Sequence, residues 1–117
     1  MTRMRGFRSD ELYTTAITEA ELRRGLALLP PGRKLTARRM GVDTVLEVNL
    51  QNKILPFDSA AAKAYATLTA ARTAAGRPMS FEDAQIAAIV LVNRAVLLTR
   101  DTRDFEGCGF ELINPWN

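Results

Sequence analysis

The chain has 117 residues, a net charge of +3, 47% hydrophobic and 25% charged residues, as expected of one globular domain large enough to bury a core. It has no histidine, which excludes Ser/His/Asp and Cys/His triads and every His-ligated metal site. Any metal would be held by oxygen, a donor set that selects Mg2+ or Mn2+ over zinc.

The lone Cys108 rules out an intramolecular disulfide and fits a reducing cytoplasm. Free cysteine is most often a small buried hydrophobe, so Cys108 is given no chemical role. The longest apolar run, Ile86 to Val92, is too short to span a bilayer, and no membrane association is expected. The basic start, Met1 to Arg8, leads into no apolar core of a signal peptide, so a cytoplasmic protein is expected. The small positive charge is a mild bias toward polyanions.

In chain order, Leu12 to Ile17 is β-branched and aromatic and predicts a buried strand. Glu19 to Leu29 predicts a helix with Leu22, Leu26 and Leu29 on one face, stopped by Pro30-Pro31-Gly32. Arg33 to about Leu50 predicts a second amphipathic helix, with Leu35, Met40, Val45 and Leu46 among its apolar positions. Ile54 to Phe57 predicts a short strand whose Pro56 suits a sheet edge. Asp58 or Ser59 is the expected cap of a helix over Ala60 to Ala75, ended by Gly76. Ser80 is the expected cap of a helix over Phe81 to Asn93. Val96 to Thr99 and Phe110 to Ile113 predict two further strands. Strands alternating with helices point to an α/β sandwich around a mostly parallel sheet, four of whose strands are visible.

Ligands of a parallel sheet gather beyond the carboxyl ends of its strands. Glu21 follows the first visible strand, and Asp101 and Asp104 follow the strand ending at Thr99. The helix that feeds this strand runs antiparallel to it, which puts Asp83 at the same edge. Clustered carboxylates repel unless a cation lies between them, and a divalent ion so held can activate water against a phosphate. The competing reading is local: Thr18-x-x-Glu21 and Ser80-x-x-Asp83 are capping-box patterns, and Asp101 and Asp104 suit turns and caps.

The acids and the landmarks between them resemble one family. Ala16-Ile17-Thr18-Glu19-Ala20-Glu21, Leu55-Pro56-Phe57-Asp58, Gly76-Arg77-Pro78, Phe81-Glu82-Asp83, Thr99 to Cys108 and Ile113-Asn114-Pro115-Trp116 occur in the order and spacing of PIN-domain ribonucleases of the VapC toxin type. The resemblance spans about Leu12 to Trp116. It implies a PIN-like three-layer sandwich and a Mg2+-dependent endoribonuclease, the toxin of a VapBC-type toxin–antitoxin or plasmid-stability pair. It also implies an RNA substrate, a small VapB-like antitoxin as partner and a homodimer.

Carried over by position, Glu21 matches the second acid of the family and Asp83 the third, a direct metal ligand. Asp101 and Asp104 are both candidates for the fourth. The metal set implied is thus Glu21, Asp83 and Asp101. Glu19 and Glu82 read as solvated helix-start residues. The family's central first strand, with its Leu-Asp-Thr-Asn-like run and first metal-binding Asp, has no counterpart. Residues 1–117 are therefore expected to form one domain incomplete at its N-terminus, with four strands of the usual five and a weakened metal site. Asp10 precedes the first visible strand, at the opposite edge, and is not promoted.

Arg23, Arg24, Arg33, Lys34, Arg38 and Arg39 cluster around the first inter-helix turn and read either as a phosphate-tracking surface or as solvated helix ends. Arg100 and Arg103 flank the acidic edge. Trp116 reads as a packing residue. The alternative to an active nuclease is a catalytically impaired PIN domain that binds an antitoxin or dimerises.

Overall fold

The computed structural model describes residues 12–114, so Met1 to Arg8, Asp10 and Trp116 lie outside the described residues. The described residues divide into two compact units, residues 12–56 and residues 57–114.

In the first unit, β1 (Thr14–Thr15) pairs in parallel with β2 (Ile54–Leu55), in the register Thr14 to Ile54 and Thr15 to Leu55. The helices α1 (Ala16–Ala27) and α2 (Arg33–Asp43) cross between them. The strand predicted over Leu12 to Ile17 shrinks to two residues because Thr15 caps α1. Its Oγ1 accepts the Thr18 N–H at 3.0 Å, which commits Ala16 and Ile17 to the first helical turn. This also displaces the expected Thr18–Glu21 capping box, leaving Glu21 in the body of the helix.

The second predicted helix is split. After Asp43 the chain widens into a π-helical segment, Thr44–Asn49, where the Leu50 N–H reaches the Val45 carbonyl at 2.9 Å. Thr44, Val45 and Val48 are β-branched and weaken the α preference there. The amphipathic expectation also fails for α2, which buries none of its residues. Leu35 is half-buried and Met40 is exposed. Leu46, in the widened segment, is 2% exposed and joins Leu26 as a buried leucine of this unit.

In the second unit, Asp58 caps α3 (Ser59–Ala74), its Oδ1 accepting the Ala61 N–H at 3.0 Å. The helix closes through Gly76 at φ +73°, with the Arg77 N–H on the Arg72 carbonyl at 2.8 Å and the Gly76 N–H on the Thr73 carbonyl at 3.0 Å. Ser80 caps α4 (Phe81–Val92), as expected. Arg94 at φ 51° ends α4 by the same pattern, with the Ala95 N–H on the Val90 carbonyl at 3.1 Å.

β3 (Leu97–Leu98) and β4 (Leu112–Ile113) pair in parallel, with a 3-10 turn, Thr102–Phe105, between them. Both are shorter than the runs predicted for them. Leu68, Ala87, Phe105 and Cys108 form the buried cluster, with Met79, Ile86, Leu91, Leu97, Phe110 and Leu112 packed on it. Along α4, Ala84, Ala87, Ala88 and Ile89 are at most 1% exposed, so methyl-sized contacts alternate with larger aliphatic ones on its buried side. The chain is α/β with parallel strand pairs, as its alternating pattern predicts.

Candidate functional site

Asp83 stands in the first turn of α4, where its N–H donates to the Ser80 Oγ at 3.2 Å. Its side chain is half-buried. Burial pushes its carboxyl above the ordinary aspartate range. Hydrogen bonding to Ser80 opposes the rise, and the charges of Asp104, Asp101 and Glu82 add to it.

Asp101 follows β3 and opens the 3-10 turn. Its N–H donates to the Thr99 Oγ1 at 3.0 Å, and its carbonyl accepts the Asp104 N–H at 3.1 Å. The helix start and the post-strand turn of the second unit thus bring Asp83, Asp101 and Asp104 within electrostatic reach of one another. Asp101 and Asp104 are both exposed, so burial does not choose between them. Glu82 is exposed, in keeping with a solvated helix-start acid.

Glu21 belongs to the other unit. It is exposed on α1 and borders an open, mainly apolar groove of about 420 Å3 lined also by Leu22, Leu26, Leu29, Arg38 and Val42. Glu19 is not simply solvated, because its Oε2 accepts from the Arg23 Nε at 2.9 Å. Arg23 also donates to Asp43 Oδ1 at 3.1 Å and Glu47 Oε2 at 3.3 Å, so its guanidinium is paired with the acids of its own unit at the surface. Arg24, Arg33, Lys34, Arg38 and Arg39 are exposed.

Behind the acidic turn lies a group that no sequence pattern marks. Arg72, 9% exposed on α3, donates from Nη1 to the Glu106 carbonyl, while its Nε is buried without a partner. The Cys108 Sγ lies 3.9 Å from the Met79 Sδ. Burial pushes the Cys108 thiol up; the Arg72 and Arg77 guanidinium groups oppose this, and Asp83 adds to it.

The oxygen-only donors are of the type that suits Mg2+ or Mn2+. They are not gathered into a cage: among the described residues no group of three or more Asp, Glu or Cys is placed to hold an ion.

A sequence profile described as PIN domain matches residues 3–110. The chain belongs to the PIN-domain family. It is similar to the plasmid stability protein StbB of Pseudomonas syringae pv. tomato, with 44% identity over 107 residues, 92% of this chain and 77% of that protein. It is 38% identical to VapC ribonuclease Y4jK of Sinorhizobium fredii, over 92% of this PIN chain and 76% of that protein. The crystal structure of FitAcB from Neisseria gonorrhoeae superposes with a TM-score of 0.87 at 32% identity, covering 95% of this chain and 80% of that one. No helix among the described residues is long and apolar enough to cross a membrane.

Proposed function

We propose that this PIN domain is the toxin component of a VapBC-type toxin–antitoxin pair and acts as a metal-dependent endoribonuclease. The observation that carries the reading is the placing of Asp83, half-buried in the first turn of α4, where burial first and then the charges of Asp104, Asp101 and Glu82 raise its carboxyl. The similarity to a VapC ribonuclease and a plasmid stability protein supports the same assignment. Asp83 and Asp101 or Asp104 are the acids of the second unit assigned to the site, Glu21 is the acid of the first unit that the family resemblance adds, and Mg2+ or Mn2+ is the ion such donors would take. Arg24, Arg33, Lys34, Arg38 and Arg39, exposed in the first unit, are the cations assigned to an RNA backbone. A small VapB-like antitoxin and a second copy of the chain are the partners expected of such a toxin, and the cytoplasm is its expected compartment.

One observation favours a second reading, a PIN domain that binds an antitoxin without cleaving RNA: the described carboxylates do not by themselves close a metal cage. Cleavage of a labelled single-stranded RNA in Mn2+ separates the two. The nuclease reading expects cleavage that disappears with EDTA and in Asp83→Asn. Equal, negligible cleavage by the native chain and the variant would overturn it.

A further inference from the structure

Arg72 is the only charged side chain buried among the described residues. Burying a guanidinium is costly unless its donors find partners, and here the Nε has none. Apolar packing alone would be better served by a hydrophobic side chain, since the neighbouring cluster is Leu68, Phe105 and Cys108. The hydrogen bond that Arg72 does make spans 34 residues of sequence, from α3 to the Glu106 carbonyl. That carbonyl lies two residues beyond Asp104. The next residue, Gly107, adopts φ +78°, and a Cβ there would lie 3.7 Å from an Arg77 guanidinium nitrogen and 3.9 Å from the Arg72 Nη1. Cys108, the buried residue that follows Gly107, is raised by burial first, with Arg72 and Arg77 opposing and Asp83 adding.

We propose that Arg72 is a positioning residue: by holding the Glu106 carbonyl to α3, it fixes the turn bearing Asp101 and Asp104 and so sets where those carboxylates stand relative to Asp83. The proposal rests on the reading of these acids as a nuclease site. It assigns Arg72 no contact with substrate. The bond from Nη1 restrains the backbone just past the acids, and α3 packs along α4, which carries Asp83.

The test compares Arg72→Met and Arg72→Lys with the native chain by amide hydrogen exchange and by RNA cleavage in Mn2+. In folded Arg72→Met, the amides of Asp104 and Cys108 are expected to exchange at least about tenfold faster, with Ile89 unchanged, and kcat to fall about 10- to 100-fold with little change in KM. Arg72→Lys, which keeps the charge but gathers its donors on one nitrogen in place of the planar fork, is expected to fall between the two. Turn amides that exchange as in the native chain, or native kcat, in folded Arg72→Met would overturn the proposal. If Arg72→Met does not fold, Arg72→Lys decides, with intermediate exchange supporting the role and native values overturning it. A native chain that cleaves no RNA would overturn the nuclease reading instead, and the exchange rates would then decide the role of Arg72 alone.

Discussion

Arg23 on α1 donates from Nη1 to the Oδ1 of Asp43, the last residue of α2, across 3.1 Å. The same guanidinium holds Glu19 one turn back and Glu47 in the π-helical segment, and its pKa is raised by Glu19 first and then by Asp43. Arg23→Gln would leave three carboxylates around a neutral group. We expect a lower urea midpoint at low salt and a smaller difference at high salt, because these partly exposed charges are screened. A loss that does not change with salt would mean that Arg23 acts by packing its stem.

Asp83 has the opposite relation to stability. Its folded pKa is raised, so its contribution is fully present below the ordinary aspartate value of about 3.9 and is lost as pH rises through the folded value. At neutral pH its ionised form therefore burdens the fold. Asp83→Asn is expected to unfold at a slightly higher temperature at pH 7, with the advantage vanishing in acid. Thermal melts across pH 3 to 8 test this, and a variant less stable at pH 7 would contradict it.

Gly107 adopts φ +78°, a conformation that costs a side chain about 1–2 kcal/mol. The substitution Gly107→Ala is expected to destabilise by about that amount, since the nearest atoms leave ordinary van der Waals space for a methyl. Chemical denaturation measures this. A loss several times larger would show that the Arg72 and Arg77 guanidinium groups cannot yield.

Leu46 tests whether the widened helical segment is part of a packed core. It is 2% exposed while Val45 and Val48 beside it are exposed. Leu46→Ala is expected to cost about 2–5 kcal/mol, against a small change for Val48→Ala, in paired unfolding curves.

The caps of α3 and α4 are legible because Asp58 and Ser80 stand directly before helical stretches, and a cap is a local interaction. The acids of the second unit are legible for a related reason: a helix start and a post-strand turn fall at one edge by topology alone. The start of α1 is misread because Thr15 and Thr18 are both good caps, and the two-residue pairing of Thr14 and Thr15 with Ile54 and Leu55 decides between them. The π-helical segment and the α2 surface leave no usable pattern, since their apolar residues recur at helical spacing whether or not anything covers them. Arg72 is hidden for the same reason: its partner is a backbone carbonyl, which every residue possesses.

The methyl-lined packing of α4 has a consequence for precision. Ala84, Ala87 and Ala88 have no rotamers, so fixing the helix that carries Asp83 costs no side-chain entropy at these positions. Nor can such a contact relax by swapping one rotamer for another. Any larger group at these positions has to displace the helix itself, carrying the Asp83 carboxylate with it. At these three positions the tolerance of the acidic edge is thus set by the size of a methyl group on the helix's buried side, away from any acid.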